Sequence, residues 1–284
     1  MIKSFFMNAD PSAAHWGSAF RVAASQKWRR QSAAMGAGVT QAIVQLAAAR
    51  AGMQVLDLAC GTGEPAISLA SQVGRQGRVS GIDINAELLE IARDRAQQRS
   101  LSNIEFRQGD AHALPFASET FDLVTSRFGV MFFEDVVRAL AEARRVLRPA
   151  GRITLLAWGP FEQPYFLSTM AIVRRHVTAS TLQPGTLNMF RFAQPGSLTA
   201  ALKQAGFTRI EERTVTVPWN WPGPPEEVWE YFREITVPFR PLLSGIPADK
   251  AEQVNAEVVA AISRHYDGKQ VKFTADVVLA SAQK

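Results

Sequence analysis

The residues with the most chemical potential lie in Val55-Leu-Asp-Leu-Ala-Cys-Gly-Thr-Gly-Glu-Pro-Ala66, where a short apolar run feeds a Gly61-x-Gly63 turn. Glycine lets a backbone turn tightly and lets a ligand come against the main chain. The open N–H groups of a helix starting there favour an electron-rich group. Pro65 suits a first helical turn, since its missing N–H had no intrahelical partner to lose. Further polar groups follow at intervals. Asp83 closes Val79-Ser-Gly-Ile-Asp83, twenty residues after Gly63, where a carboxylate can accept from both hydroxyls of a ribose. Asp110 and Ala111 close Phe106-Arg-Gln-Gly-Asp-Ala111, where an acid can accept from an adenine amino group. Ser126 and Arg127 close Phe121-Asp-Leu-Val-Thr-Ser-Arg127, just before Phe128 and Met131.

The pattern Gly61-x-Gly63-x-x-Ala66 also fits a nicotinamide dinucleotide, whose third glycine can be alanine. An NAD-dependent oxidoreductase is therefore an alternative reading. Asp57 separates the two. A carboxylate immediately before the turn would repel a pyrophosphate seated on it, and it suits the positively charged amino and sulfonium groups of S-adenosylmethionine. Alone, Asp57 could simply cap the turn by accepting from backbone N–H groups, and Asp83 and Asp110 could each be helix N-caps. Their order along the chain makes them one site.

These groups must be held by regular elements. Residues 12–34 read as a helix, with Trp16, Phe20, Ala24 and Lys27 near one stripe and Trp28 beside it. Gly36 and Gly38 break it. A second helix spans about 39–50, with Val39, Ile43 and Leu46 on one face and Gly52 where a C-cap is expected. Strands at 55–59, 78–82, 104–107, 121–125 and 152–157 then alternate with helices at 65–73, 87–98 and 136–147, the last closed by Arg148-Pro-Ala-Gly151. Such alternation predicts βαβ units and a mostly parallel sheet. Its crossovers are right-handed, and ligands bind beyond the carboxyl ends of its strands. Beyond Trp158 come an aromatic-rich stretch, a helix at 196–206, a strand at 208–217, a proline-rich stretch, a helix at 249–266 and a last strand at 271–281. The expected organisation is an N-terminal helical lid over 1–38 and one domain over 39–284. Cap insertions at about 159–195 and 218–268 would cover the carboxyl edge of the sheet.

Composition narrows the partners. The chain has 284 residues, 47% hydrophobic and 20% charged, with a net charge of +5, the balance of an ordinary soluble globular protein. Its basic residues are dispersed in pairs such as Arg29-Arg30, Arg144-Arg145 and Arg174-Arg175, which read as solvated faces rather than a nucleic-acid tract. The single cysteine, Cys60, permits no intrachain disulfide. No apolar run reaches the roughly 18 residues of a membrane span. The start, Met1-Ile-Lys-Ser-Phe-Phe-Met7, is too short for a secretory signal, so the expected location is the cytoplasm. No His/Cys/Asp cluster has metal-ligand spacing, and no metal is expected.

Leu56-Asp-Leu-Ala-Cys-Gly-Thr-Gly63 resembles the first motif of class I S-adenosylmethionine-dependent methyltransferases. Gly109-Asp-Ala-His-Ala-Leu-Pro-Phe116 and Arg145-Val-Leu-Arg-Pro-Ala-Gly-Arg152 resemble the subgroup that includes ubiquinone and menaquinone biosynthesis methyltransferases. The likeness spans about 40–158, with 196–217 and 271–281 alike in pattern only; Ala150 stands where that subgroup commonly has glycine. The resemblance implies an α/β, Rossmann-like, seven-stranded sheet with an antiparallel last strand. It implies S-adenosylmethionine as cofactor and S-adenosylhomocysteine as product. Gly61 and Gly63 would flank the methionine part, Asp83 would hold the ribose, Ile84 would pack on the adenine, and Asp110 and Ala111 would meet its edge. Ser126 and Arg127 would lie under the cofactor near the methyl group. Trp28, Asp57, Ala59 and Thr62 complete the expected cofactor-binding set.

Methyl transfer from a sulfonium is an in-line displacement, so alignment and desolvation can supply much of the catalysis. A protein base is needed only where the acceptor must lose a proton, and no residue is assigned that role. Of the histidines His15, His112, His176 and His265, His112 reads as a polar neighbour of the adenine and His15 could face the pocket. The expected acceptor is a small, apolar or aromatic molecule accepting on O, C or N, because aromatic residues crowd the predicted insertions, from Tyr165 and Phe166 to Trp219 and Tyr231. Phe128, Met131, Trp158 and Phe161 are the expected acceptor pocket. Thr125-Ser-Arg-Phe128 stands where adenine-N6 and glutamine-amide methyltransferases carry Asn-Pro-Pro-Tyr or Asp-Pro-Pro-Tyr. Cys60 sits in the cofactor turn, not in a Pro-Cys loop of the cytosine-methylating kind. A nucleic-acid methyltransferase is accordingly the weaker alternative.

Overall fold

Short runs of valine, leucine and isoleucine build the strands. A computed structural model describes residues 19–177 and 189–284. Strands β1 (Gln54–Leu58), β2 (Arg78–Asp83), β3 (Ile104–Gln108), β4 (Phe121–Arg127), β5 (Leu147–Trp158), β6 (Thr208–Trp221) and β7 (Val271–Gln283) form one seven-stranded sheet, ordered β3-β2-β1-β4-β5-β7-β6. Pairing from β3 through β5 is parallel. β7 runs antiparallel to both β5 and β6, so the last strand alone is reversed. The buried middles of β1, β4 and β5 follow from a sheet covered on both faces, where strands read as continuous apolar runs.

Helices α1 (Ala19–Lys27), α2 (Arg29–Met35) and α3 (Ala37–Ala47) precede the sheet. The described part of the predicted 12–34 helix is thus broken at Trp28, whose backbone is not helical; His15, Trp16 and the side chain of Phe20 lie outside the described residues. Gly38 does not break a helix. It sits inside α3, where a Cβ would come within 2.5 Å of the Pro218 carbonyl oxygen, so glycine allows α3 to lie close on β6. Nor does Gly52 cap α3. The helix ends at Ala47, and Ala48 takes the left-handed conformation with φ 44°.

The crossovers carry α4 (Ala66–Val73), α5 (Ala86–Gln98) and α6 (Val136–Val146). Asn85 and Asp135 cap α5 and α6, their side chains accepting from the N–H groups of Leu88 and Arg138. Beyond β5 come α7 (Pro164–Leu167), α8 (Met170–His176) and α9 (Ser197–Gln204), and between β6 and β7 come α10 (Pro225–Ile235), α11 (Arg240–Ser244) and α12 (Ala251–Ser263). Strand β6 runs past its expected end at 217, through Pro218 to Trp221. Proline lacks a ladder donor, but β6 is the sheet's edge strand, where one is tolerated. Helix α10 packs on both α1 and α12, α12 packs on α8, and α1 also touches α5. The helices before and after the sheet therefore join each other.

Candidate active site

Leaving β1, the backbone enters left-handed conformation at Ala59 (φ 53°), Gly61 (φ 50°) and Gly63 (φ 105°). The two glycines serve different ends. A Cβ on Gly63 would lie 2.6 Å from Ile67 Cδ1, so this glycine lets α4 close onto the turn. A Cβ on Gly61 would meet nothing within 4 Å; the space beside it is open. Thr62 faces α5, its carbonyl and hydroxyl accepting from Arg95 Nη1 at 2.6 and 3.1 Å.

Asp83 ties the end of β2 to this turn. Its Oδ2 accepts from the Gly61 N–H at 2.8 Å and its Oδ1 from the Asn85 N–H at 2.9 Å. Burial pushes the carboxyl up, against these amides and the Arg21 guanidinium. A carboxylate has about four lone-pair sites, so capacity remains for ligand hydroxyls. Next to it, Ile84 is 46% exposed, an uncovered apolar side chain at the strand tip.

Asp57 is fully buried. Its Oδ1 accepts from Thr125 Oγ1 at 2.7 Å, whereas Oδ2 is sealed from solvent and has no hydrogen-bond partner. Burial pushes the carboxyl up to about 7, opposed by the Thr125 hydroxyl, the Arg127 guanidinium and the Ala66 backbone N–H, which points toward the carboxylate. A buried carboxylate with acceptor capacity to spare beside an open glycine turn is what a cationic ligand group would satisfy.

The remaining expected residues divide. Ser126 is buried and donates to the Leu58 carbonyl at 3.0 Å, binding β4 to β1. Arg127 donates to the Glu64 carbonyl at 3.2 Å and to Thr40 Oγ1 at 3.1 Å, fastening α3 to the glycine turn; its guanidinium also lies in the field of Asp57 and Glu64. Asp110 is bound to His112, through the backbone N–H at 2.9 Å and Nδ1 at 2.6 Å. Burial works against ionisation there, yet His112 holds the Asp110 carboxyl below its ordinary value. Ala111 is buried beside them. Trp28 is buried where α1 meets α2. It packs 5.4 Å from Trp221 and 6.4 Å from Tyr231, ring to ring, and its Nε1 donates to Glu234 at 2.5 Å. A tryptophan near a pocket often belongs to the seam between helices, and this one joins α1–α2 to α10.

At the tips of β4 and β5, Phe128 (φ 60°) stacks on Trp158 with centroids 4.4 Å apart. Trp219 and Phe166 stand edge-on to Trp158 at 5.2 and 5.1 Å. Phe161 lies one ring farther out, 5.8 Å from Phe166, and Met131 is buried in a 3-10 turn. Sequence reading missed Arg21, which comes from α1 and shares the fields of Asp83 and Tyr231. It counted Tyr231 only among the insertion aromatics; burial pushes its phenol up to about 12 despite Arg21 and Arg127. Neither residue sits in a motif; only the packing of α1 on α10 brings them in.

A buried carboxylate under a glycine turn has no place in a pyrophosphate site, and with this strand order the fold is that of the class I S-adenosylmethionine-dependent methyltransferases. Residues 38–180 match the ubiE/COQ5 methyltransferase family. The 2-phytyl-1,4-naphtoquinone methyltransferase of Thermosynechococcus vestitus is 38% identical over 172 residues, covering 56% of this chain and 74% of that protein. The demethylmenaquinone methyltransferase of Lactococcus lactis is 34% identical over 170 residues, covering 56% of this chain and 68% of that protein. Among solved structures, the YcgJ protein of Bacillus subtilis shares the fold, with a TM-score of 0.55 and 22% identity over 86% of this chain and 97% of that one. The chain belongs to the ubiE/COQ5 methyltransferase family. It is an S-adenosylmethionine-dependent enzyme that methylates a small molecule, and the oxidoreductase and nucleic-acid readings fall away. Among the described residues, no helix is long and apolar enough to cross a membrane.

Proposed function

We propose that the acceptor is a planar, oxygen-bearing aromatic molecule of the naphthoquinol type, held against the Phe128–Trp158 stack. That stack carries the reading: two flat rings 4.4 Å apart follow the tips of β4 and β5, on the same sheet edge as Asp57 and the glycine turn. Flat aromatic walls offer a planar ligand large contact area and favoured ring geometry. The names of the two quinone-methylating relatives point the same way.

When bound, S-adenosylmethionine supplies an electrophilic methyl group on a cationic sulfur. In this reading Asp57 Oδ2 takes the cationic amino end, beside Gly61, with Ala59 and Gly63 shaping the turn. Asp83 receives the ribose hydroxyls, Ile84 lies on the adenine, and Asp110 with Ala111 meets its edge. Thr62, Ser126 and Arg127 act by holding this frame. The aromatic wall of Phe128 and Trp158, with Phe161 and Met131 behind it, orients the acceptor and excludes water, which strengthens every electrostatic interaction inside. Alignment of acceptor and donor is then the main catalytic device. Helices α1 and α2, the described part of the expected 1–38 lid, serve as a lid, and α7–α8 and α10–α12 as caps, a division supported by the packing of α1 on α10.

The test is transfer of labelled methyl from S-adenosylmethionine to anaerobically reduced 1,4-naphthoquinol, beside aliphatic amines and simple phenols. Preferential labelling of the naphthoquinol is expected. Turnover of an aliphatic amine with none on the naphthoquinol would contradict the reading.

A further inference from the structure

We propose that the indole N–H of Trp219 is a specificity donor, giving its hydrogen bond to an oxygen of the bound acceptor. This rests on the aromatic-acceptor reading above. Strand β6 runs in the same direction as β5, since both are antiparallel to β7. Its last residues therefore reach the sheet edge where β4 and β5 present Phe128 and Trp158. Trp219 is 8% exposed, and its Nε1 is sealed from solvent with no hydrogen-bond partner.

Three other described indoles have acceptors. Trp28 Nε1 donates to Glu234 at 2.5 Å, Trp221 Nε1 to Glu227 at 3.2 Å and Trp229 Nε1 to Asn255 at 2.7 Å. Among the described residues, Trp219 has the only solvent-sealed indole nitrogen left without an acceptor. Folded chains rarely leave a buried donor unmet, and such a group calls for an explanation. Its surroundings supply one. The Trp219 ring stands edge-on to Trp158 at 5.2 Å and 81°, and to Phe128 at 6.3 Å and 89°, with Tyr165 at 6.0 Å. The ring that carries the unmet donor thus borders the stack that would face the acceptor.

Chemistry sets what it can hold. An indole nitrogen is a donor only, so its partner must offer a lone pair. A carbonyl, phenol or phenolate oxygen qualifies, whereas an ammonium does not. A planar ring on Phe128 and Trp158 that carries such an oxygen at its edge would satisfy both features at once.

The experiment replaces Trp219 with 3-benzothienylalanine, which keeps the bicyclic shape and puts sulfur in place of N–H; W219F removes the same donor by ordinary mutagenesis. Methyl transfer to reduced 1,4-naphthoquinol, S-adenosylhomocysteine affinity and Tm are measured for each. The expected result in the benzothienyl variant is a roughly tenfold rise in KM for the naphthoquinol, with cofactor-product affinity and Tm unchanged. W219F should show at least the same rise. An unchanged KM in both variants overturns the role of the indole while leaving the aromatic acceptor standing. A lower Tm in the benzothienyl variant would mean that the N–H serves the fold, and overturns it too. If wild type neither binds nor methylates the naphthoquinol, both readings fail together.

Discussion

Asp57 at about 7 sits between its two protonation states at neutral pH, and a cation beside it would draw it to the charged form. Affinity for S-adenosylhomocysteine, which keeps the amino group, should therefore fall as pH drops below about 7 and level off above it; calorimetry across pH 5.5–8.5 measures this, and a flat profile would remove Asp57 from the site. Stability carries the same signature with the opposite sense. The folded carboxyl lies above its ordinary value, so stability is fully present below that value, declines as pH rises toward 7, and is flat beyond. Asp57→Asn removes that penalty, on the order of 4 kcal/mol at the upper bound from 1.36 kcal/mol per unit. The variant should gain more Tm relative to wild type at pH 8 than at pH 5, while binding the product more weakly. Asp57 was legible because its position before a glycine turn is chemically odd for a pyrophosphate. The Gly61–Asp83 hydrogen bond was not, because no spacing rule reports which amide a strand-tip acid accepts from.

The glycine turn and its flanking elements make a second test. Gly61→Ala should cost about 1–2 kcal/mol for a left-handed alanine, because a Cβ there meets no protein atom, but it should reduce cofactor-product affinity by filling the open side of the turn. Gly63→Ala adds a collision with Ile67 to the same backbone strain, so its loss of stability should be the larger; chemical denaturation of both variants decides, and equal losses would contradict the division of labour. The alternation through β5 was readable because strands covered on both faces have short, solidly apolar runs. Pro218 and Gly38 misled because each answers to tertiary position: Pro218 is tolerated on an edge strand, and a Cβ on Gly38 would lie 2.5 Å from the Pro218 oxygen. Local sequence signals carry no record of such a neighbour.

Across the whole molecule, the N-terminal helices are held to α10 by two kinds of contact. Lys27 pairs with Glu230 and Glu234 at 2.6 and 2.9 Å on the open surface, and exposed pairs contribute little; Lys27→Ala should leave Tm unchanged within error. Trp28 is buried against Trp221 and Tyr231, and Trp28→Ala should cost about 3–5 kcal/mol. A variant that kept its stability but lost cofactor-product affinity would assign Trp28 to cofactor binding instead. The Trp28 seam and Arg21 come from residues some two hundred positions before their α10 partners, a distance over which no pattern in one sequence speaks.

The central claim is that Phe128 and Trp158 form the wall against which a planar acceptor receives its methyl group. Steady-state methylation of reduced 1,4-naphthoquinol by wild type and Phe128→Leu, which keeps an apolar side chain and removes the flat ring, tests it most directly. The expected result is turnover by wild type and a KM about two- to tenfold higher in the variant, since ring pairing is worth about 0.5–1.5 kcal/mol beyond area, with S-adenosylhomocysteine affinity unchanged. Equal KM values, or no turnover of the naphthoquinol by wild type, would contradict it.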